Sequence, residues 1–207
     1  MRQLIKAFSH PALGLAACLA AAPSLAQDFD YWLHALTWSP SWCRDEAHPD
    51  AEQCGRDLGF VLHGLWPQHE AGWPEDCGSP HRDPTRRQTA AMADVMGSGD
   101  LAWYQWRKHG RCSGLPAEAY FATARTAFAG IALPAVRRDR VTAEALEAGF
   151  RAANPGLAPD ELIVTCSDAT VREVRICLDP GLAPRACGAD VLRSACRAPG
   201  PLDMPAP

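Results

Sequence analysis

Gly59-Phe60-Val61-Leu62-His63-Gly64-Leu65-Trp66-Pro67-Gln68 is the stretch around which the rest of the chain can be ordered. Its first four residues form a short apolar run, as expected of a buried strand. Gly64 and Pro67 mark the point where the chain is expected to leave the sheet. His63 then falls at a strand end, where a rigid sheet can aim an imidazole into a cleft. Trp66 and Trp73 flank it.

Upstream, residues 31–38 alternate and are rich in aromatic and branched side chains, which predicts a strand. Residues 39–56 hold Pro40, Pro49 and several charges and read as a loop, with Cys43 and Cys54 placed to close it. Downstream, residues 69–83 are irregular. Asp83-Pro84 reads as a helix start, an N-cap acid before a proline at the first helical position. That helix should run to about Met96 and stop at Gly97-Ser98-Gly99.

Asp100 is then expected to cap a helix carrying Trp103-Tyr104-Gln105-Trp106-Arg107-Lys108-His109-Gly110-Arg111-Cys112. Positions i, i+3, i+4 and i+7 share a helix face. Here they are Gln105, Lys108, His109 and Cys112. Trp103 and Trp106 would anchor a neighbouring face. Taken alone, the stretch is equally an amphipathic helix with a solvated side.

Ser113-Gly114 breaks it. Pro116 starts a helix to about Phe128, with Tyr120, Phe121, Ala124 and Phe128 as its apolar stripe. Thr142 caps a helix over 143–153, ended by Asn154-Pro155-Gly156. Residues 161–166 and 171–178 read as a strand hairpin. Val174, Ile176 and Leu178 alternate there with Glu173, Arg175 and Cys177. From Ala198 a Pro- and Gly-rich tail, residues 198–207, is expected to be disordered. No repeat and no linker divides the chain. Helices intermixed with mostly antiparallel strands predict an α+β fold in one domain, residues 27–197.

Residues 1–26 read as a cleavable signal peptide. Arg2 and Lys6 precede an Ala/Leu-rich run, and Ser24-Leu25-Ala26 offers small residues for cleavage. The run is too short and too alanine-rich for a membrane anchor. Of nine cysteines, Cys18 lies in this segment. The remaining eight point to four disulfides in an oxidising compartment, secreted or periplasmic, with 105 possible pairings. The chain has 20 Lys+Arg and 24 Asp+Glu; without Arg2 and Lys6 the balance is 18 against 24, a net of −6. A protein gripping long nucleic acid is usually basic. One that acts on a polyanion with this balance should touch few phosphates, through a local cluster such as Arg107, Lys108, His109 and Arg111.

Two histidines stand in chemically suggestive settings, His63 and His109. A pair of imidazoles suits cleavage of an RNA phosphodiester. A neutral one accepts the 2′-hydroxyl proton, and a protonated one supplies the departing 5′-oxygen. A nearby ammonium and an amide, Lys108 and Gln105, can stabilise the negative charge that gathers at phosphorus. Trp66 and Trp73, with Gln68 and Tyr104 beside the two motifs, are candidates for holding the substrate, since base–aromatic stacking tolerates any base. The other histidines read more plainly: His34 as structural, His48 and His81 as solvated, His69 as a candidate substrate contact. A zinc site from His63, His69 and His109 lacks a carboxylate or cysteine at ligand spacing. Arg111 reads as a surface charge near the cleft.

Phe60-Val61-Leu62-His63-Gly64-Leu65-Trp66-Pro67 resembles the first signature of the ribonuclease T2 family, and Trp106-Arg107-Lys108-His109-Gly110-Arg111-Cys112 its second. The resemblance extends over about residues 28–197. It implies an antiparallel sheet with flanking helices, stapled by Cys43–Cys54, Cys77–Cys112, Cys166–Cys196 and Cys177–Cys187. It also implies that His109 is the general base, His63 the general acid, Lys108 the electrostatic stabiliser and Trp66 a base-stacking wall. The expected reaction is cofactor- and metal-independent cleavage of single-stranded RNA, with low base specificity, through a 2′,3′-cyclic phosphate, by a monomer without a membrane partner. Two positions depart from the family pattern. Gln105 stands where glutamate is usual and Tyr104 where histidine is common. A weakened family member that binds RNA or a partner protein is the alternative reading, and these two residues are its support.

Overall fold

In the computed structural model, residues 28–45, 51–135 and 139–207 are described; the expected signal peptide and His48 lie outside them. The chain forms β1 (Tyr31–Trp38), α1 (Ser39–Asp45), β2 (Phe60–Gln68), α2 (Arg86–Ala90), α3 (Ala93–Met96), α4 (Gly99–Lys108) and α5 (Ala117–Ala129). Then come β3 (Arg140–Val141), α6 (Ala143–Ala153), β4 (Leu162–Ser167), β5 (Thr170–Leu178), α7 (Ala189–Arg193) and β6 (Leu202–Asp203). The sheet order is β2-β1-β5-β6-β3, with β4 on β5. All pairings are antiparallel except the short β5–β6 contact. The fold is α+β.

β1 is buried on both faces. Trp32, Leu36 and Trp38 join the larger core with Trp106, Tyr120 and Phe150 from the helices. Tyr31 and Leu33 join a smaller cluster on the other face with Ile163, Cys177, Cys187 and Val191. The second face carries the site. On it Leu33 stands between Trp66 and Cys177, Ala35 between Gly64 and Arg175, and Thr37 between Val61 and Glu173.

β2 does not end at His63. It runs on through Gly64 and Pro67 to Gln68. Pro67 is tolerated because β2 is the edge strand of its sheet. The β1–β2 register passes from Ala35↔Gly64 to Leu36↔Leu62, so His63 is the extra residue of a β-bulge. In a regular strand residues three apart lie on opposite faces. The bulge re-aims the backbone and brings His63 and Trp66 to the same face.

Other expectations are corrected as well. The segment 39–56 is not simply loop. Pro40 occupies the first turn of α1, and residues 52–55 make a 3₁₀ turn, the two joined by Cys43–Cys54. Asp83 caps no helix. Thr85 does, through a capping box with Gln88, and the expected single helix is two short ones, α2 and α3. Asp83 is taken instead by Trp106 Nε1 at 2.8 Å and by the Arg111 guanidinium at 2.7 Å. Ser98 rather than Asp100 caps α4. The tail from Ala198 is ordered against the body: Leu202 and Met204 are fully buried, and Trp38 Nε1 donates to the Pro205 carbonyl at 2.8 Å. The four disulfides are Cys43–Cys54, Cys77–Cys112, Cys166–Cys196 and Cys177–Cys187. Among the described residues no helix is long and apolar enough to cross a membrane.

Candidate active site

α4 lies against the edge strand β2. Its α-helix stops at Lys108, and residues 110–113 continue as a 3₁₀ turn. A Cβ at Gly110 would lie 2.6 Å from Trp106 Cε3 and 2.9 Å from Tyr120 Cε1, so the chain draws in tightly there. His109, at the junction with φ −123° and ψ −43°, leaves the helical path. Gln105 and Lys108 stay on one helix, but the face expected to run on through His109 to Cys112 is broken after Lys108, and each side chain has its own surroundings.

Gln105 is 1% exposed, and its Oε1 accepts the indole N–H of Trp66 at 2.7 Å. An indole N–H only donates, so the amide oxygen must face it. Trp66 is the centre of the site. Its ring lies 5.3 Å from the His63 ring, edge to face, and 5.0 Å from the His109 ring at a 31° tilt. The Arg175 guanidinium sits 5.6 Å from the same indole. Packed on these sides, Trp66 is a spacer between two imidazoles.

The two histidines differ. His109 is 7% exposed, and its Nδ1 takes no hydrogen bond among the described residues. Burial first, then the neighbouring Lys108 ammonium, push its pKa down to about 4; His63 adds to this and Glu75 opposes it. His63 is half-buried, and its Nδ1 is hydrogen-bonded to Glu173 Oε1. Glu173 Oε2 also accepts from Arg175 Nε at 2.7 Å and lies 2.7 Å from Arg175 Nη2. Burial pushes the Glu173 carboxyl up, but the bonds and charges of His63 and Arg175 outweigh it and hold its pKa at about 2. The carboxylate is ionised.

Lys108 Nζ is 3.5 Å from Glu75 Oε2 and 5.9 Å from the centre of the Tyr104 ring. Tyr104 first, with Glu75 adding to it, raises its pKa against desolvation, so the ammonium keeps its charge. A cavity of about 380 Å³ is lined by Trp66, Gln68, Trp73, Lys108, His109 and Arg175. Trp73, 55% exposed, is an open ring at its rim. Gln68 is buried and donates to the Pro67 carbonyl at 3.1 Å. On the other side of the site a cavity of about 550 Å³ is lined by His63, Tyr104, Trp42 and Asp100. A smaller one, about 350 Å³, adds Glu173, Arg172 and Arg175.

The structure thus gathers His63, Lys108, His109, Trp66, Trp73 and Gln68, places Tyr104 on the His63 side, and takes Gln105 out of the cleft. Glu173, Arg175 and Trp42 are new to the site. A signal for Glu173 existed: it shares a strand face with Cys177, and a disulfide cysteine is usually buried. The remaining described histidines, His34, His69 and His81, stay apart. His34 is fully buried with neither ring nitrogen hydrogen-bonded among the described residues. His69 Nδ1 lies 3.9 Å from Asp30, and His81 Nε2 is 3.1 Å from the Gly114 carbonyl. Among the described residues no three His, Cys, Asp or Glu side chains are grouped to hold a metal ion. Arg111 is locked on Asp83.

A sequence model described as the ribonuclease T2 family matches residues 29–187. The chain belongs to that family. Among its relatives, a ribonuclease of Aeromonas hydrophila is 47% identical over 90 residues, covering 44% of this chain and 40% of the relative. Ribonuclease 3 of Arabidopsis thaliana is 31% identical over 103 residues, covering 44% and 46%. The chain thus spans under half the length of these two relatives. Of solved structures, an RNase-related protein from Calystegia sepium superposes with a TM-score of 0.66 at 22% identity, over 86% of this chain and 97% of that one. At that identity the likeness concerns the fold of the ribonuclease T2 family alone.

Proposed function

We propose that this chain is a secreted or periplasmic endoribonuclease that cleaves single-stranded RNA with little base preference. It acts as a monomer, without metal or other cofactor. The observation that carries this reading is the unlike setting of two imidazoles on either side of Trp66. His109, buried beside an ammonium, is neutral at pH 7 and can accept a proton. His63 is hydrogen-bonded to a carboxylate and can hold one.

In the first step the 2′-oxygen attacks phosphorus, and its proton goes to His109. The P–O5′ bond breaks as His63 protonates the departing oxygen. The products are a 2′,3′-cyclic phosphate and a free 5′-hydroxyl. In the second step water replaces the alcohol and the two histidines exchange roles, leaving a 3′-phosphate. Lys108, held charged, faces the negative charge that builds at phosphorus. Trp73 and Trp66 border the space beside His109 where a base can stack, and Tyr104 and Trp42 border the space beside His63. Gln68 fits as a wall of the first space. Gln105 fits a supporting role for Trp66 in place of a contact with the phosphorane.

The test is the end group produced from a dinucleotide in the presence of a chelator. A 2′,3′-cyclic phosphate is expected, and no product from His63→Ala or His109→Ala. Activity that vanishes with chelator overturns the metal-free step. Full activity in both alanine variants overturns the assignment. Tight RNA binding with no cleavage by the parent protein favours the binding-protein reading, which the missing carboxylate at Gln105 supports.

A further inference from the structure

We propose that Glu173, carried on β5, is the positioning residue of the site: it fixes the ring of His63 with hydrogen on Nδ1, so that Nε2 is the atom that gives and takes the proton. The proposal rests on the ribonuclease reading above and assigns a role to a residue that no motif contains.

Glu173 is 8% exposed, and its two oxygens are divided. Oε1 faces His63 Nδ1, and Oε2 meets Arg175 through both Nε and Nη2. A buried carboxylate is costly unless it is paired and hydrogen-bonded, and this one is both. Arg175 in turn is placed by its contact with the Trp66 indole and by Nη1 reaching Ser194 Oγ at 3.4 Å. The acceptor is therefore held at both oxygens and ionised. An ionised carboxylate can only accept, so the imidazole nitrogen facing it must carry hydrogen in both protonation states of the ring. Titration is confined to Nε2. After Nε2 protonates the leaving oxygen, the neutral ring remains in the right tautomer and orientation to take a proton from water in the hydrolytic step.

Arg175 adds a second effect. It shares the carboxylate, so the charge on His63 is stabilised without a bare anion behind it. Arg175, Glu173 and protonated His63 sum to one positive charge, beside the place where phosphorus gains negative charge. Gln105 has no charge to contribute, and its oxygen is committed to Trp66.

The groups that face the His63 side of the cleft are Arg172, Glu173 and Arg175 from β5, Asp100 and Tyr104 from α4, and Glu52; Lys108 and His109 lie across Trp66. Glu173→Gln changes one of them and keeps its size. The expected result is a fall in kcat of about 10- to 100-fold on a dinucleotide, with KM changed less than about threefold. The alkaline limb of kcat/KM should move to lower pH, since a carboxylate facing an imidazole favours its charged form. Glu173→Asp should recover part of both. An unmoved limb with kcat within about twofold of the parent overturns the proposal.

A measurement on the unmodified protein guards against a variant that does not fold. Nitrogen-15 NMR of the histidine rings should show neutral His63 with hydrogen on Nδ1; hydrogen on Nε2 overturns the proposal. That spectrum needs no activity, so it separates this inference from the ribonuclease reading, which fails only if the parent leaves RNA intact.

Discussion

The indole N–H of Trp66 donates to Oε1 of Gln105 at 2.7 Å, across the α carbon of Gly64. A Cβ built on Gly64 would stand 2.2 Å from Trp66 Nε1 and 2.6 Å from Gln105 Oε1. Gly64 has no positive φ, so its backbone would accept alanine and the obstacle is this contact alone. Gly64→Ala should separate the pair, tilt Trp66 and disturb both imidazoles that pack on it. The expected cost is about 1–3 kcal/mol in stability, together with a loss of kcat/KM. Urea unfolding and the dinucleotide assay check both, and a variant as stable and active as the parent would show that the pair has no mechanical importance.

Gln105 itself gives a sharper test. Gln105→Leu keeps most of the volume but leaves a part-buried indole N–H without its acceptor, which costs up to about 1–3 kcal/mol. Gln105→Glu keeps an acceptor and should hold Trp66 in place. The new carboxylate would favour protonated His109, however, and so move the acid limb of kcat/KM to higher pH. Equal pH profiles for parent and Gln105→Glu would show that position 105 is electrically remote from His109.

Much of the frame is readable without coordinates, because it follows from local chemistry. β1 and α6 have the limits that alternation and the Thr142 cap imply. The hairpin of β4 and β5 pairs as its composition implies. What is not readable depends on distant partners. Asp83 followed by Pro84 looks like a cap until Arg111 and Trp106 claim the carboxylate. Gly64 beside His63 signals an irregularity, but that it is a bulge and not a strand end is a property of the register with β1. The tail reads as disordered because its buried contacts, Trp38 with Pro205 and the pairing of Leu202 with Val141, lie far away in sequence. Glu173 is half readable: the face it shares with Cys177 hints at burial, but its partner does not show. It looks like one charge of an alternating strand, and its bond to His63 crosses 110 residues.

His109 should set an unusually acidic base limb. Its folded pKa of about 4 lies below the ordinary 6.5 because of burial and Lys108. It is needed neutral, so kcat/KM should hold as pH falls below 6 and decline only near 4. Lys108→Met removes the second cause of the depression and the fixed charge near phosphorus. The limb should rise toward 6.5, and kcat should drop on the order of 10²-fold. A limb that stays near 4 in Lys108→Met would show that burial alone lowers the pKa.

His34 predicts how the fold responds to acid. It is fully buried in the centre of β1, its ring 6.4 Å from that of Phe128, with neither nitrogen hydrogen-bonded among the described residues. Burial pushes its pKa down to about 3 from 6.5. The folded chain therefore holds His34 neutral while the unfolded chain takes up a proton below pH 6.5. Its contribution is intact above 6.5 and is lost as pH falls from 6.5 toward 3, reaching about 3 kcal/mol at pH 4. Glu173 acts in the same direction lower down, since its depressed pKa stabilises the fold above the ordinary carboxylate range and is lost as pH falls through about 2. His34→Leu removes the titrating group and both unpartnered nitrogens. It should lose much less stability between pH 7 and pH 4 than the parent, and be the more stable of the two at pH 4. Urea midpoints at the two pH values measure this directly, and parallel losses in both proteins would mean that His34 finds a proton-accepting partner inside the fold.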